Sequence, residues 1–223
     1  MSVRYLPFVW GLVSLFAPAA WAIPIDLLAD PSFGSTSGTG ATALVSLSFS
    51  EDGAEDLMTV SIHNTTPVSI GSKLTAVGLE IPYWISTSID FAKDGESSYF
   101  DTLTFNKSVS PWWLDAPGGY DLMITSDGRF EGGSSKGAPA AGEMQTVVLS
   151  LSDTGLSSTQ LRNAFAQYYA GLTDNYMIVR FQAVGPNGNL SDKVVGRTPE
   201  PSSLGLLVLG AGLLVPRRGR PGL

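Results

Sequence analysis

Five short runs in this chain switch between apolar and mostly polar or small residues at every position. Val45, Leu47 and Phe49 alternate with Ser46, Ser48 and Ser50, and Met58, Val60 and Ile62 alternate with Thr59, Ser61 and His63. Val147, Leu149 and Leu151 alternate with Thr146, Val148 and Ser150. The same period runs through Val77, Leu79 and Ile81 against Gly78 and Glu80, and through Met177, Val179, Phe181 and Ala183 against Ile178, Arg180 and Gln182. Successive side chains of a strand point to opposite faces, so a period of two predicts strands with one face buried and one face wet. Tyr99 to Phe105 and Tyr120 to Thr125 are expected to add further strands. Turn-forming clusters separate the runs: Glu51-Asp52-Gly53, Asn64-Thr65-Thr66-Pro67, Ala116-Pro117-Gly118-Gly119 and Gly185-Pro186-Asn187-Gly188. About seven short strands with turns between them predict a mostly β fold. The expected architecture is a single antiparallel β-sandwich, jelly-roll-like or Ig-like, over residues 23–197.

One segment carries the other period. Leu161, Ala164, Phe165 and Tyr168 fall at i, i+3, i+4 and i+7, which predicts an amphipathic helix near 157–170. Ser157 fits its N-cap, Gln160 the return half of a capping box, and Leu156 with Leu161 a hydrophobic staple. Gly171 is expected to end the helix in a left-handed conformation. The aromatic face of this helix should close one end or edge of the sandwich. Ser32 to Thr42 and Glu131 to Gly142 are small, polar and glycine-rich, and are expected to be mobile loops inside one domain.

The two ends of the chain break the strand pattern. Arg4 precedes a mostly apolar stretch from Leu6 to Phe16, and Ala20-Trp21-Ala22 places small residues at −3 and −1 of a cleavage site. Residues 1–22 therefore read as a secretory signal peptide, with signal peptidase cutting after Ala22. Pro18 and the small residues keep the apolar run under the roughly 18 residues of a spanning helix. At the other end, Thr198-Pro199-Glu200-Pro201 is followed by an uncharged run from Ser202 to Val215 and then by Arg217, Arg218 and Arg220. Such a basic cluster resists translocation, which puts most of the chain before it outside the inner membrane. As a helix, Leu204 to Val215 would span about 18 Å against a hydrocarbon core of about 30 Å, which suits transient recognition better than a stable anchor.

Residues 198–223 closely resemble the PEP-CTERM sorting signal of Gram-negative bacteria that make exopolysaccharide. The resemblance rests on Pro199-Glu200-Pro201 with Ser202-Ser203, the Leu/Gly-rich segment, and Arg217, Arg218 and Arg220. Pro216 and the short apolar run depart from the usual pattern. The resemblance implies recognition by exosortase, a membrane protease that removes the hydrophobic part. It also implies a transient inner-membrane association and delivery to the cell surface or extracellular matrix. Val179 to Gly185 with Ser191 to Lys193, and Leu57 to Pro82, are loosely similar to the β domains of such exported proteins and imply no activity.

Composition agrees with export. The chain has no cysteine, so it has no disulfide, thiol nucleophile or Cys-ligated metal. Residues 23–197 hold nine basic against nineteen acidic side chains, a net charge of −10, which disfavours nucleic acid and anionic lipid as partners.

A search for chemistry returns little. His63 is the only histidine, and its place in the alternation makes it an exposed residue at a strand end. A Ser-His-Asp triad would need it, and no Gly-x-Ser-x-Gly elbow accompanies it. Zinc with several histidine ligands is excluded. Asp52, Glu55 and Asp56 surround Gly53 and Ala54; their oxygens suit calcium, but the spacing is not that of an EF-hand loop, and solvated turn acids are expected. No cofactor is expected. Carboxylate pairs are too common here to single out a glycosidase pair. Asn64, Asn106 and Asn189 each open a glycosylation-acceptor triplet, a match that arises easily in a Ser/Thr-rich chain.

Pro111-Trp112-Trp113-Leu114-Asp115 is the best binding candidate. On a strand, Trp112 and Trp113 would face opposite ways, one to the core and one outside. With Trp84 and Tyr120 near by, an exposed indole would offer a sugar ring a broad apolar face. Burial of both rings in the core, or packing of one of them under a loop, is the plainer expectation. The function expected is that of an exported, non-enzymatic surface or matrix protein associated with exopolysaccharide or biofilm matrix. The alternatives are a carbohydrate-binding module using Trp and Tyr side chains, and an exported glycan hydrolase with carboxylate catalysis. Signal peptidase, exosortase and exopolysaccharide are the expected partners.

Overall fold

The computed structural model describes residues 23–53, 55–85, 88–131, 133–152, 154–171 and 175–198. Ala20 and Ala22 of the signal peptide, and Pro199, Glu200, Pro201, Arg217, Arg218 and Arg220 of the sorting signal, lie outside the described residues. Ten strands form: β1 Ile25–Ala29, β2 Ala43–Asp52, β3 Glu55–Asn64, β4 Lys73–Leu79, β5 Ser88–Phe91, β6 Thr102–Lys107, β7 Tyr120–Thr125, β8 Met144–Ser152, β9 Met177–Val184 and β10 Leu190–Arg197. Among the described residues one α-helix, α1, spans Ser158–Gly171, and a 3-10 turn spans Trp112–Leu114.

The fold is mostly β with one helix, as the two periods predict. All strand pairs are antiparallel, and the order is β5-β8-β3-β2-β1-β10-β9-β4-β7-β6 in a single sheet coiled into a nearly closed barrel. Two separate sheets were expected, and the difference lies at β1. Leu28 and Ala29 pair with Leu44 and Ala43 on one side and with Arg197 and Gly196 on the other. This short ladder stitches the two halves together and spares each an open edge at that place.

The first half, β8-β3-β2-β1, follows the alternation. Val45, Leu47 and Phe49 sit opposite Ile62, Val60 and Met58, which in turn continue to Val147 and Leu149 of β8. All of these side chains are buried in one core, each contributing about 1.5–3 kcal/mol. Ser46, Ser48, Thr59 and Ser61 cover the other face and remain partly exposed.

The second half, β10-β9-β4-β7, is buried on both faces. Leu74, Val77, Leu79, Leu122, Val179 and Phe181 point into the shared core. Ala76, Tyr120, Met123, Ile178 and Val195 point outward into a second core, which Val109, Leu114, Ala116, Phe130 and Phe33 cover. Gly78 permits this layer: a Cβ there would meet Ile178 Cγ2 at 2.9 Å and the Tyr120 ring at 3.2 Å.

The helix begins as its cap residues predict. Ser157 N–H donates to Gln160 Oε1 at 2.8 Å and Gln160 N–H to Ser157 Oγ at 3.3 Å. Leu161, Phe165 and Tyr169 are buried, with Ala164 and Tyr168 packed beside them. Phe165 lies 4.9 Å from Phe49 and Tyr169 lies 5.1 Å from Tyr176, so α1 closes one end of the barrel across both halves. Gly171 is the last helical residue and does not take a positive φ, so the expected left-handed cap is absent at that position.

The two glycine-rich segments are pinned rather than loose. Buried Asp192 accepts from Ser35 Oγ at 2.7 Å, Ser37 N–H at 3.0 Å, Thr39 N–H at 3.0 Å and Thr39 Oγ1 at 2.8 Å. In the second segment Ser134 O accepts from Tyr99 Oη at 2.7 Å, and Pro139 O accepts from Asn64 Nδ2 at 3.0 Å. A composition reading cannot see these ties, because each donor or acceptor arrives from a distant strand or loop.

Candidate functional site

The loop from β6 to β7 covers the outer face of the second half and carries Trp112 and Trp113. Its anchor is Leu114, fully buried in the outer core. Around that anchor the turn is closed by Leu114 N–H to Pro111 O at 2.9 Å and Asp115 N–H to Trp112 O at 3.1 Å. Tyr120 Oη donates to Leu114 O at 2.9 Å, and Val109 N–H donates to Asp115 Oδ1 at 3.0 Å. Asn175 Nδ2 donates to Trp113 O at 3.1 Å from the approach to β9. Farther back, the Lys193 ammonium of β10 bonds Ser110 O and pairs with Glu131 at 2.5 Å. Gly119 lets the loop return: its φ is +89°, and a Cβ would press on Lys107 C at 2.9 Å.

The tryptophans sit on this 3-10 turn, not on a strand, and both rings point outward. Trp112 is 84 % exposed and Trp113 46 %, so neither fills the core as the plainer expectation had it. Two adjacent residues share an outward direction here because the third, Leu114, takes the buried position of the turn.

Tyr120 is corrected as a binding candidate. Its ring is fully buried under the turn and its hydroxyl is spent on Leu114 O, so it supports the platform from below. Burial, with Asp115 and Glu80 near by, pushes its hydroxyl pKa far up. Trp84 is 48 % exposed but stands in a separate aromatic group, 4.8 Å from Tyr83 and 5.3 Å from Tyr168. It does not line the Trp112 cleft.

Two depressions meet at Trp112. One, of about 480 Å³, is lined by Trp113, Asp115, Ala116, Pro117, Asn175 and Arg197 together with Trp112. The other, of about 630 Å³, is lined by Ser108 to Pro111, Trp112 and Asp115. Arg197 also lies 5.6 Å over the Phe33 ring. Sequence reasoning missed Asn175 and Arg197 because the fold brings them to the tryptophans from β9's approach and the end of β10. Neither belongs to a local motif.

A perturbed carboxylate lies at the end of the barrel that α1 closes. Glu80, just after β4, is 9 % exposed. Burial first, and the nearby Asp121 carboxylate second, push its pKa up to about 7, while the Tyr168 hydroxyl bond works the other way. Tyr168 Oη donates to Glu80 Oε2 at 3.3 Å and Tyr169 Oη donates to Glu80 O at 2.8 Å. Asp121 accepts Ile81 N–H at 2.8 Å. Asp121 lines a groove of about 200 Å³ with Ile89 of β5 and Phe105 of β6, the two edge strands, but Glu80 does not. The Glu80 carboxylate thus faces helix α1, not a cleft.

Of the remaining acidic candidates, Glu55 and Asp56 line, with Glu51, a depression at the β2–β3 turn and the start of α1 and make hydrogen bonds there. Glu55 accepts from Ser150 Oγ at 3.3 Å, Asp56 accepts a bond from the Thr154 hydroxyl, and Glu51 accepts Ser158 N–H at 2.8 Å at the helix start. Among the described residues no three His, Asp or Glu side chains gather as a metal-binding set. His63 lies on the outer face of β3, opposite Leu44 and Met144. Asn64 is fully buried and its amide donates to Ser72 Oγ at 3.0 Å, which closes it to glycan attachment.

Comparison of the chain with protein-family models, curated proteins and solved structures finds no match.

Proposed function

We propose that this protein is exported, trimmed at its tail by an exosortase-type protease, and delivered to the cell surface or extracellular matrix. There it associates with exopolysaccharide and catalyses no reaction. The sorting part rests on the paired terminal signals: Ala20 and Ala22 at one end, Pro199-Glu200-Pro201 with Arg217, Arg218 and Arg220 at the other. The observation that carries the polysaccharide part is the outward display of Trp112 and Trp113 on a turn locked by Leu114. An apolar ring held in water at that exposure has a cost in hydration that a stacking ligand removes. A hydrolytic reading would need two carboxylates at a set separation across a cleft; Glu80 is turned to Tyr168, and Glu51, Glu55 and Asp56, which line one depression, accept bonds from Ser158 N–H, Ser150 Oγ and the Thr154 hydroxyl.

The barrel reads as a jelly-roll-like sandwich with its halves stitched along β1 and β10. The nested pairs β3 with β8 and β4 with β7 support that reading, and so does the passage of the chain between halves after β3, β4, β5, β7 and β8. Double-sheet jelly rolls serve lectins and capsids alike, so the fold by itself carries no activity.

Mass spectrometry of the surface form tests the sorting. The mature protein should begin near Ile23 and yield no peptide containing Arg217 to Arg220. An intact C-terminus on the surface form, or a cytoplasmic location, would overturn it.

A further inference from the structure

We infer that Trp112 is the centre of a two-sided site for an internal stretch of a neutral polysaccharide chain. This rests on the polysaccharide-associated role proposed above and adds the ligand class and the manner of binding.

The two depressions share Trp112 and Asp115 as common walls. A chain crossing the indole therefore occupies both at once, with sugar units on either side of the ring. Each volume falls within the roughly 300–1,000 Å³ usual for small-ligand sites. The walls differ in character. The Trp113 side adds a second indole, the Asn175 amide and the Arg197 guanidinium. The other side offers Ser108, Ser110 and Pro111. Hydroxyl-bearing rings with apolar C–H faces match this mixture of flat apolar surface and edge hydrogen-bonding groups.

Charge selects among polysaccharides. Among the described residues, Asp115 and Arg197 are the ionisable side chains that line the two depressions, and their charges cancel. The surrounding domain carries −10, a field that repels a polyanion at long range. A neutral chain pays no such penalty. The site is also ready-made: the turn is fixed by Leu114, Tyr120, Asp115 and Asn175 before any ligand arrives, so little ordering entropy opposes binding.

The test uses the mature protein and the producing cell's own exopolysaccharide, purified and separated into a neutral and an acidic fraction. Affinity electrophoresis compares wild type with Trp112→Ala and Trp112→Phe. Circular dichroism checks that each variant is folded, as the exposure of Trp112 leads one to expect. Wild type should be retained by the neutral fraction, Trp112→Ala should weaken retention about tenfold or more, and Trp112→Phe should recover part of it. Raising salt from about 50 to about 500 mM should change retention less than twofold, because no net charge is neutralised. Borohydride reduction of the chain ends should leave retention unchanged, while digestion to single sugars should abolish it. Retention equal in wild type and Trp112→Ala overturns the site but leaves the polysaccharide association standing. Preference for the acidic fraction with steep salt dependence overturns the neutral class. Loss on end reduction overturns internal binding. No retention of wild type by either fraction overturns both this inference and the role on which it rests.

Discussion

The half-sheet β8-β3-β2-β1 and the half-sheet β10-β9-β4-β7 are made of strands of similar length, yet they meet water differently. The first has a wet face of Ser46, Ser48, Thr59 and Ser61. The second has no wet face along much of its length, because the 31–40 segment and the β6–β7 loop lie over it. The contrast shows where this molecule invests its loops. A strand face left to solvent needs only small polar side chains. A covered face needs an apolar layer, and the loop that supplies Leu114 to that layer is held stiffly enough to display Trp112 on its outer side. Platform and cover are one structure.

The largest expected effect contrasts the outward positions of the two halves. Ile178 of β9 is fully buried in the outer core, whereas Val148 of β8 is partly exposed. Ile178→Asp should unfold the protein as thoroughly as Val179→Asp, since each buries an unpaired carboxylate at a cost of several kcal/mol, comparable to a typical total stability of about 5–15 kcal/mol. In the first half Leu149→Asp should unfold the protein and Val148→Asp should leave it folded. Thermal melts followed by circular dichroism check this. A tolerated Ile178→Asp, or an unfolded Val148→Asp, would erase the distinction between the halves.

Asp192 sharpens it. This buried carboxylate ties the 35–39 segment over the second half. Burial alone would raise its pKa, but the bonds from Thr39, Ser35 and Thr36 outweigh it and hold the pKa below the ordinary aspartate value. Removing it in Asp192→Ala leaves several donors without their acceptor and should cost on the order of 3 kcal/mol. With a lowered folded pKa, this stabilisation is complete at neutral pH and is lost as pH falls through the folded pKa. Denaturant melts of wild type should weaken in acid by an increment that Asp192→Ala lacks.

Glu80 gives a smaller effect of opposite sign at the end that both halves share. Its folded pKa is pushed up to about 7 from an ordinary 4.5, so the folded state keeps a proton that the unfolded chain releases. The stabilisation it provides is complete below about 4.5 and fades as pH rises to about 7. Wild type should lose a few degrees of Tm across that window, roughly as a loss of about 1 kcal/mol would give, and Glu80→Gln should flatten the trend. A melting temperature that rises over the same window would show that Glu80 is ionised against helix α1.

The same contrast explains what was legible in the sequence. Alternation gave the first half's strands and faces directly, because each outward residue there answers only to water. In the second half the runs Leu122-Met123-Ile124 and Met177-Ile178-Val179 are apolar at every position, which is what two buried faces require. Their cover comes from Phe33, Leu114 and Phe130, far away in the chain, so no local pattern could assign it. Trp112 and Trp113 were recognisable as a candidate by residue type alone. Their shared outward direction depends on a 3-10 turn that Leu114 anchors, and a strand reading would part them. Asn175 and Arg197 reach the cleft only through the closure of the barrel. β5, with four residues from Ser88 to Phe91, is too short to declare a period.

Hydrogen exchange of the mature protein, with and without the producing cell's neutral exopolysaccharide, tests the central claim most directly. The claim is that the covered half, not the wet face, meets the ligand. Slowed exchange is predicted in residues 108–117, around Asn175 and near Arg197, with no change in residues 44–50, 57–63 and 144–150. Protection on those Ser/Thr-rich strands, or no protection anywhere at saturating polymer, would contradict it.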